Sequence, residues 1–185
     1  AKHLHSLSDL ISFGLAPGAI LFTLLEFSLF EKNQPIYDIT TGWMQWLVLF
    51  SALIMPVMGA VRLARFNIDH SDNFFKGLPI PANGLFWASL GLMLELPRYH
   101  QVFELIYSTR NLLLLGLFTS FLMVSNLPMF SLKFQSFKFK ANWFRYLFLI
   151  TTILLLGFFN VYGIALSIFT YIFLNVVFYV SGIKY

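Results

Sequence analysis

Six stretches rich in apolar residues, at positions 6–30, 43–66, 81–96, 112–129, 146–158 and 161–181, divide the chain. Polar connections at 31–42, 67–80, 97–111 and 131–145 separate most of them. A helix crosses the roughly 30 Å hydrocarbon layer of a bilayer with about 20 apolar residues, within a tolerated range of about 17–25. The pattern therefore predicts an all-α, polytopic transmembrane helix bundle of six spans, forming a single membrane-embedded domain over residues 1–185. The last two stretches are parted only by Gly157, Asn160 and Gly163. These residues read as a tight turn, with one long tilted helix as the alternative. Pro79 and Pro81 open the third span, where a missing N–H does no harm. Pro17 with Gly18, and Pro56 with Gly59, interrupt helices within the apolar layer, as bends that open a cleft or as ordinary kinks.

Composition agrees with lipid as the solvent. The 185 residues are 58% hydrophobic and 11% charged, with 23 Phe and a mean hydropathy of +0.76. Soluble domains carry about 25% charged residues. Cysteine is absent, which excludes a disulfide framework and any thiolate ligand or nucleophile. The calculated pI near 9.4 does not point to nucleic acid, because the basic residues are scattered between apolar runs.

Their positions do carry information. If the start of the chain and every second connection face one side, that side collects Lys2, Arg62, Arg65, Lys76, Lys133, Lys138, Lys140, Arg145 and Lys184. The other side keeps Lys32, Arg98 and Arg110. This positive-inside bias places the first group in the cytoplasm. Lys133, Lys138, Lys140 and Arg145, interleaved with Phe134, Phe137, Phe139 and Trp143, serve as a topological anchor or meet anionic headgroups. Trp43, Trp46 and Trp143 are expected interfacial aromatics. His3, His70 and His100 are isolated polar-end residues.

Asp9 is the outlier, an acid near the start of an apolar span. At a helix centre such a residue costs about 2.5–3.5 kcal/mol on insertion scales, and less toward an end. Helical spacing puts His5 and Asp9 on one face, with Ser12 and Phe13 one turn further on, a polar stripe at the predicted cytoplasmic mouth. Asp9 has two readings from spacing alone, a functional acid or a charge placed favourably against the helix dipole. Arg62 and Arg65 share a helical face at the same side, as a clamp for diphosphate or carboxylate or as interface anchors. Asn67 and Lys76 add donors near that mouth.

Three blocks together resemble a known family. The stretch Ala1 to Asp9 resembles the second half of the CDP-alcohol phosphatidyltransferase signature, D-x-x-D-G-x-x-A-R followed by G-x-x-x-D-x-x-x-D. Ala1 stands at the glycine, His5 at the third aspartate and Asp9 at the fourth. Asp9-Leu10-Ile11-Ser12-Phe13-Gly14-Leu15-Ala16-Pro17, Arg62-Leu63-Ala64-Arg65-Phe66-Asn67 and Gly77-Leu78-Pro79-Ile80-Pro81-Ala82-Asn83 resemble the phosphatidylserine synthase branch in particular.

The resemblance implies displacement of CMP from CDP-diacylglycerol by serine, giving phosphatidylserine in phospholipid biosynthesis. It implies Asp9 as catalytic base and metal ligand, with His5 as the second ligand. Arg62, Arg65, Asn67, Lys76 and Ser12 are the implied substrate-binding residues. The implied cofactor is a divalent metal, Mg²⁺ or Mn²⁺, with Ca²⁺ as a further candidate for oxygen ligands. His5 for aspartate trades a carboxylate for a ligand that favours softer metals. The first half of the signature is not within this sequence, so the expectation is the C-terminal part of a larger, multi-pass protein of the bacterial inner membrane. Alone, this part is expected to be incomplete or impaired. A homodimer is expected from the family, with Gly14, Ala16, Gly18 and Ala19 as a close-packing surface. The alternatives are another CDP-alcohol phosphatidyltransferase, such as a phosphatidylglycerophosphate synthase, and a transporter or non-catalytic membrane protein.

Overall fold

Apolar helices form at all six positions that the hydropathy pattern predicts. The computed structural model describes residues 2–30, 42–68, 75–96, 100–130 and 139–182. The first span is built from α1 (Lys2–Leu10), a π-helical turn (Ile11–Leu15) and α2 (Ala16–Leu29). The second joins α3 (Trp43–Phe50), a 3-10 turn (Ser51–Leu53) and α4 (Ile54–Ile68). Then come α5 (Ile80–Glu95), a short α6 (His100–Ile106) inside the expected polar connection, and α7 (Thr109–Val124). The last pair is α8 (Phe139–Phe159) and α9 (Val161–Val180). The sole sheet pairing among the described residues joins β1 (Phe75–Lys76) antiparallel to β2 (Pro128–Met129).

Among the described residues, four continuous helices are long and apolar enough to cross a membrane, at Ser6–Leu29, Trp43–Ile68, Asn142–Phe159 and Val161–Val180. The expected third and fourth spans are shorter, 16 residues each, or about 24 Å of helix. Pro79 and Pro81 fix the start of α5. The Ser125 hydroxyl donates to the Leu122 carbonyl at 2.8 Å as α7 ends at Val124, five residues before the predicted boundary because Pro128 and Met129 are already extended in β2. These two helices bury much of their surface, with Phe86, Trp87, Leu90 and Leu112 all within 2% of full burial. The outer helices carry the reverse pattern: Phe158 and Phe173 are 73% and 66% exposed. Such apolar surface suits lipid and not water. The chain is an integral membrane protein.

Both interruptions have a local cause. Pro17 has no N–H to continue an α-helical ladder, and the preceding turn widens so that the Ala16 N–H bonds to the Ile11 carbonyl, five residues back. The 3-10 turn likewise precedes Pro56. The two irregular segments meet. A Cβ on Gly14 would lie 3.6 Å from Pro56 Cα, and one on Gly18 would lie 3.0 Å from Pro56 Cδ. Gly14 and Gly18 are therefore engaged within the chain, while Ala16 and Ala19 stay exposed.

The fifth and sixth spans are two helices, not one. Asn160, at φ 51° and ψ −123°, reverses the chain in a region that a side chain disfavours. Gly163 then passes so close to Leu155 that an added Cβ would strike its carbonyl. Asn160→Gly is expected to stabilise the protein by about 1 kcal/mol, read as a higher unfolding midpoint in detergent; a lower midpoint would contradict this turn.

Side-chain bonds define two ends of the bundle. At one, Ser6 meets Asn67, Arg65 meets Val124, and Asn175 meets Phe130. At the other, Ser28 meets Thr109 at 2.7 Å and the Tyr162 hydroxyl donates to the Leu96 carbonyl at 3.0 Å. Tyr107, also at that second end, donates to the Leu90 carbonyl. Burial, with a smaller contribution from Tyr162, pushes its phenol above the usual tyrosine range.

Candidate functional site

The three motif blocks come together at the first of these ends. The Asn67 amide donates to Ser6 Oγ at 3.1 Å, joining the end of α4 to the start of the first span. Arg65 Nη1 donates to the Val124 carbonyl at 2.9 Å, tying α4 to the end of α7. The Gly77 and Leu78 amides donate to the Leu127 and Leu122 carbonyls at 2.9 and 3.0 Å. The segment leading into α5 is thus laid across the end of α7. Gly77 has φ +73°, and a Cβ there would face three backbone carbonyl oxygens. Glycine is what this crossing requires.

Asp9 sits one turn inward from Ser6 and is half-buried. It has no hydrogen-bond or ion-pair partner among the described residues. A carboxylate at this place that bonds to none of the described residues is open to a ligand. Of His5 only the backbone is described, on α1, four residues before Asp9. Asp9 precedes the π turn, and the rest of the expected stripe, Ser12 and Phe13, lies within it. Phe13 packs inward on α5, where a Cβ on Gly84 would lie 3.4 Å from Phe13 Cα, whereas Ser12 is exposed.

Arg65 and Asn67 are exposed and carry the structural bonds just named, so their free donor capacity faces the mouth. Lys76 is exposed on β1, opposite Pro128. Arg62 turns the other way. It is half-buried, and its Nε is enclosed without a hydrogen-bond partner. Arg145 donates to the Asn142 side chain and lies over the Phe144 ring at 4.8 Å. Lys133, Lys138 and His70 lie outside the described residues.

A divalent cation does not fit the described residues alone. No group of three or more His, Cys, Asp or Glu forms among them, and Mg²⁺ or Ca²⁺ wants about six oxygens. Asp9 alone supplies one carboxylate, too few for such a site. A cavity of about 610 Å³ between α5, α7 and α9 is lined by Phe86, Leu90, Met93, Leu114, Phe118 and Phe169, among others. It extends toward the Tyr162 end and holds none of the predicted site residues.

Two buried polar residues escaped the sequence reading. Asn83 and Ser120 are both 0% exposed. The amide N and O of Asn83 and the hydroxyl of Ser120 have no hydrogen-bond partner. Asn83 belongs to a motif block, which was a signal; Ser120 lies in an apolar helix with no signal at all.

No family model and no solved structure matches the chain. Curated relatives do. A protein of Methanocaldococcus jannaschii named CDP-diacylglycerol--serine O-phosphatidyltransferase is 42% identical over 82 residues, which is 44% of this chain and 31% of the relative. The protein of the same name from Helicobacter pylori strain 26695 is 32% identical over 154 residues, 81% of this chain and 54% of the relative. That of Bacillus subtilis is 28% identical over 85 residues, 45% of this chain and 40% of the relative. In sequence, then, the chain is a relative of the CDP-diacylglycerol--serine O-phosphatidyltransferases, spanning about half or less of the length of the curated relatives it matches.

Proposed function

We propose that the protein to which this sequence belongs transfers a phosphatidyl group from CDP-diacylglycerol to serine. The serine hydroxyl oxygen attacks the phosphorus that carries the diacylglycerol. A new P–O bond forms, the P–O bond to the CMP phosphate breaks, and CMP leaves with that electron pair. The hydroxyl proton passes to Asp9, so the products are phosphatidylserine and CMP. The observation that carries this reading is the unpartnered Asp9 carboxylate at the end of the bundle where Arg65, Asn67 and Lys76 also lie. The names of the relatives support the choice of serine.

Arg65 and Lys76 supply positive charge toward the diphosphate, and burial beneath the mouth limits water as a rival nucleophile. A divalent cation, Mg²⁺ or Mn²⁺ with Ca²⁺ as a further candidate, belongs to this proposal only with carboxylates from outside the described residues; bound there, it would neutralise pyrophosphate charge. The excess of basic residues at this end supports a cytoplasmic active face in a bacterial inner membrane.

The test is the full-length protein in liposomes containing CDP-diacylglycerol, supplied with radiolabelled serine. Label entering the lipid fraction with equimolar CMP is the expected result. CMP release with glycerol 3-phosphate or inositol in place of serine would assign another acceptor. Solute flux without CMP would assign a transporter and overturn the proposal.

A further inference from the structure

We propose that Asn83, Ser120 and Arg62 form a buried pocket that receives the amino and carboxylate groups of the acceptor and so selects an α-amino acid over other alcohols. This rests on the phosphatidyl-transfer reading above, but its evidence is separate. Five side-chain atoms among the described residues are buried without a hydrogen-bond partner. Four of the five are Arg62 Nε, Asn83 Nδ2, Asn83 Oδ1 and Ser120 Oγ, the remaining one being Thr152 Oγ1 on α8. A buried polar group left unpaired gives up its bonds to water and gets nothing in return. A cluster of them in a native protein calls for a ligand or water.

Their common level follows from the bonds that pin the helices. Arg65 is tied to Val124. On these two helices, which end at the same side of the bundle, Arg62 is three residues and Ser120 four residues inward of that bond, one turn in each case. The Trp87 indole N–H donates to Thr119 Oγ1 at 3.2 Å. Thr119 neighbours Ser120, and Asn83 is one turn nearer the mouth than Trp87. α4, α5 and α7 therefore hold the three residues within about one helical turn of a common level along the bundle.

The distance to Asp9 fits the length of the acceptor. Phe13 packs on Gly84, next to Asn83, and Asp9 is four residues nearer the mouth than Phe13. Asn83, one residue nearer the mouth than Gly84, thus lies about 4–5 Å deeper than Asp9, within the reach of a three-carbon hydroxy amino acid plus hydrogen bonds. The chemistry is complementary. Arg62 offers a cation to a carboxylate, Asn83 Oδ1 accepts from an ammonium, and Asn83 Nδ2 and Ser120 Oγ donate. Glycerol 3-phosphate and inositol have no ammonium to satisfy Asn83 Oδ1. A site built on such hydrogen bonds rejects analogues that lack the matching group.

The experiment uses the full-length protein and its Asn83→Leu and Ser120→Ala variants. Initial rates are measured against serine and, separately, CDP-diacylglycerol. The thermal shift given by L-serine alone is also measured for all three. Expected are a rise of at least tenfold in the KM for serine, a KM for CDP-diacylglycerol within twofold of wild type, and loss of the serine-induced shift. Folded variants that keep the wild-type serine KM and shift would overturn the pocket while leaving phosphatidyl transfer intact, and would mean that water fills the layer. A wild type that gives the shift, loses it in both variants and releases no CMP would support the pocket and sink the transfer reading. If both variants fail to fold, or both KM values move together, the residues are structural and the pocket is overturned.

Discussion

Asp9→Asn in the full-length protein is expected to lower serine-dependent CMP release by roughly a thousandfold, the scale on which a positioned base acts. The substitution keeps the shape of the side chain and removes its negative charge. Because Asp9 has no bonding partner among the described residues, little folding energy is at stake, and the unfolding midpoint should change by no more than a few degrees. The pair of measurements separates chemistry from folding. A rate within threefold of wild type would remove Asp9 from the mechanism, and with it the residue on which the proposed reaction turns. Measured against CDP-diacylglycerol, the variant should lose kcat far more than KM, since a base acts in the transition state and not in lipid binding.

Gly77→Ala should be strongly destabilising, more so than an ordinary helical glycine would suggest. At φ +73° an alanine pays about 1–2 kcal/mol for its left-handed backbone. Its Cβ would also lie 2.5 Å from the Met123 carbonyl oxygen and 2.9 Å from those of Leu122 and Ser125. These are backbone atoms, held in place by the Gly77–Leu127 and Leu78–Leu122 bonds, so they cannot swing aside as a side chain would. Adding the usual cost of overpacking gives about 3 kcal/mol or more, read as a fall in the unfolding midpoint in detergent. Gly157→Ala is the control. That glycine is inside α8 with nothing within 4 Å of the added methyl, so the same change there should stabilise by about 0.5–1 kcal/mol. Equal effects at the two positions would contradict the crossing of α7 by the chain entering α5.

The helices were legible because lipid demands a single-residue property, apolarity sustained over a turn count, and each stretch states it without reference to the others. The blocks around Asp9, Arg65 and Gly77 were legible for a different reason, their resemblance to a known family. What was not legible depends on neighbours. Nothing between Ile11 and Leu15 announces a π turn except Pro17 downstream. α6 has only seven residues, too few for periodicity to separate it from a polar loop. Ser120 reads as a small residue among leucines; only the packing of α7 encloses its hydroxyl. Arg62 and Arg65 are alike on the page, yet one reaches into the bundle and the other latches α7.

The bare backbone at Gly84 sets a spacing. With no methyl there, the ring of Phe13 rests directly on α5, and Asp9, four residues before it, is held at one fixed height above the amide next door. A side chain at position 84 would act as a shim, lifting the whole N-terminal segment away from its neighbour. Such a change touches no substrate, and it would still misalign an attacking oxygen with its phosphorus.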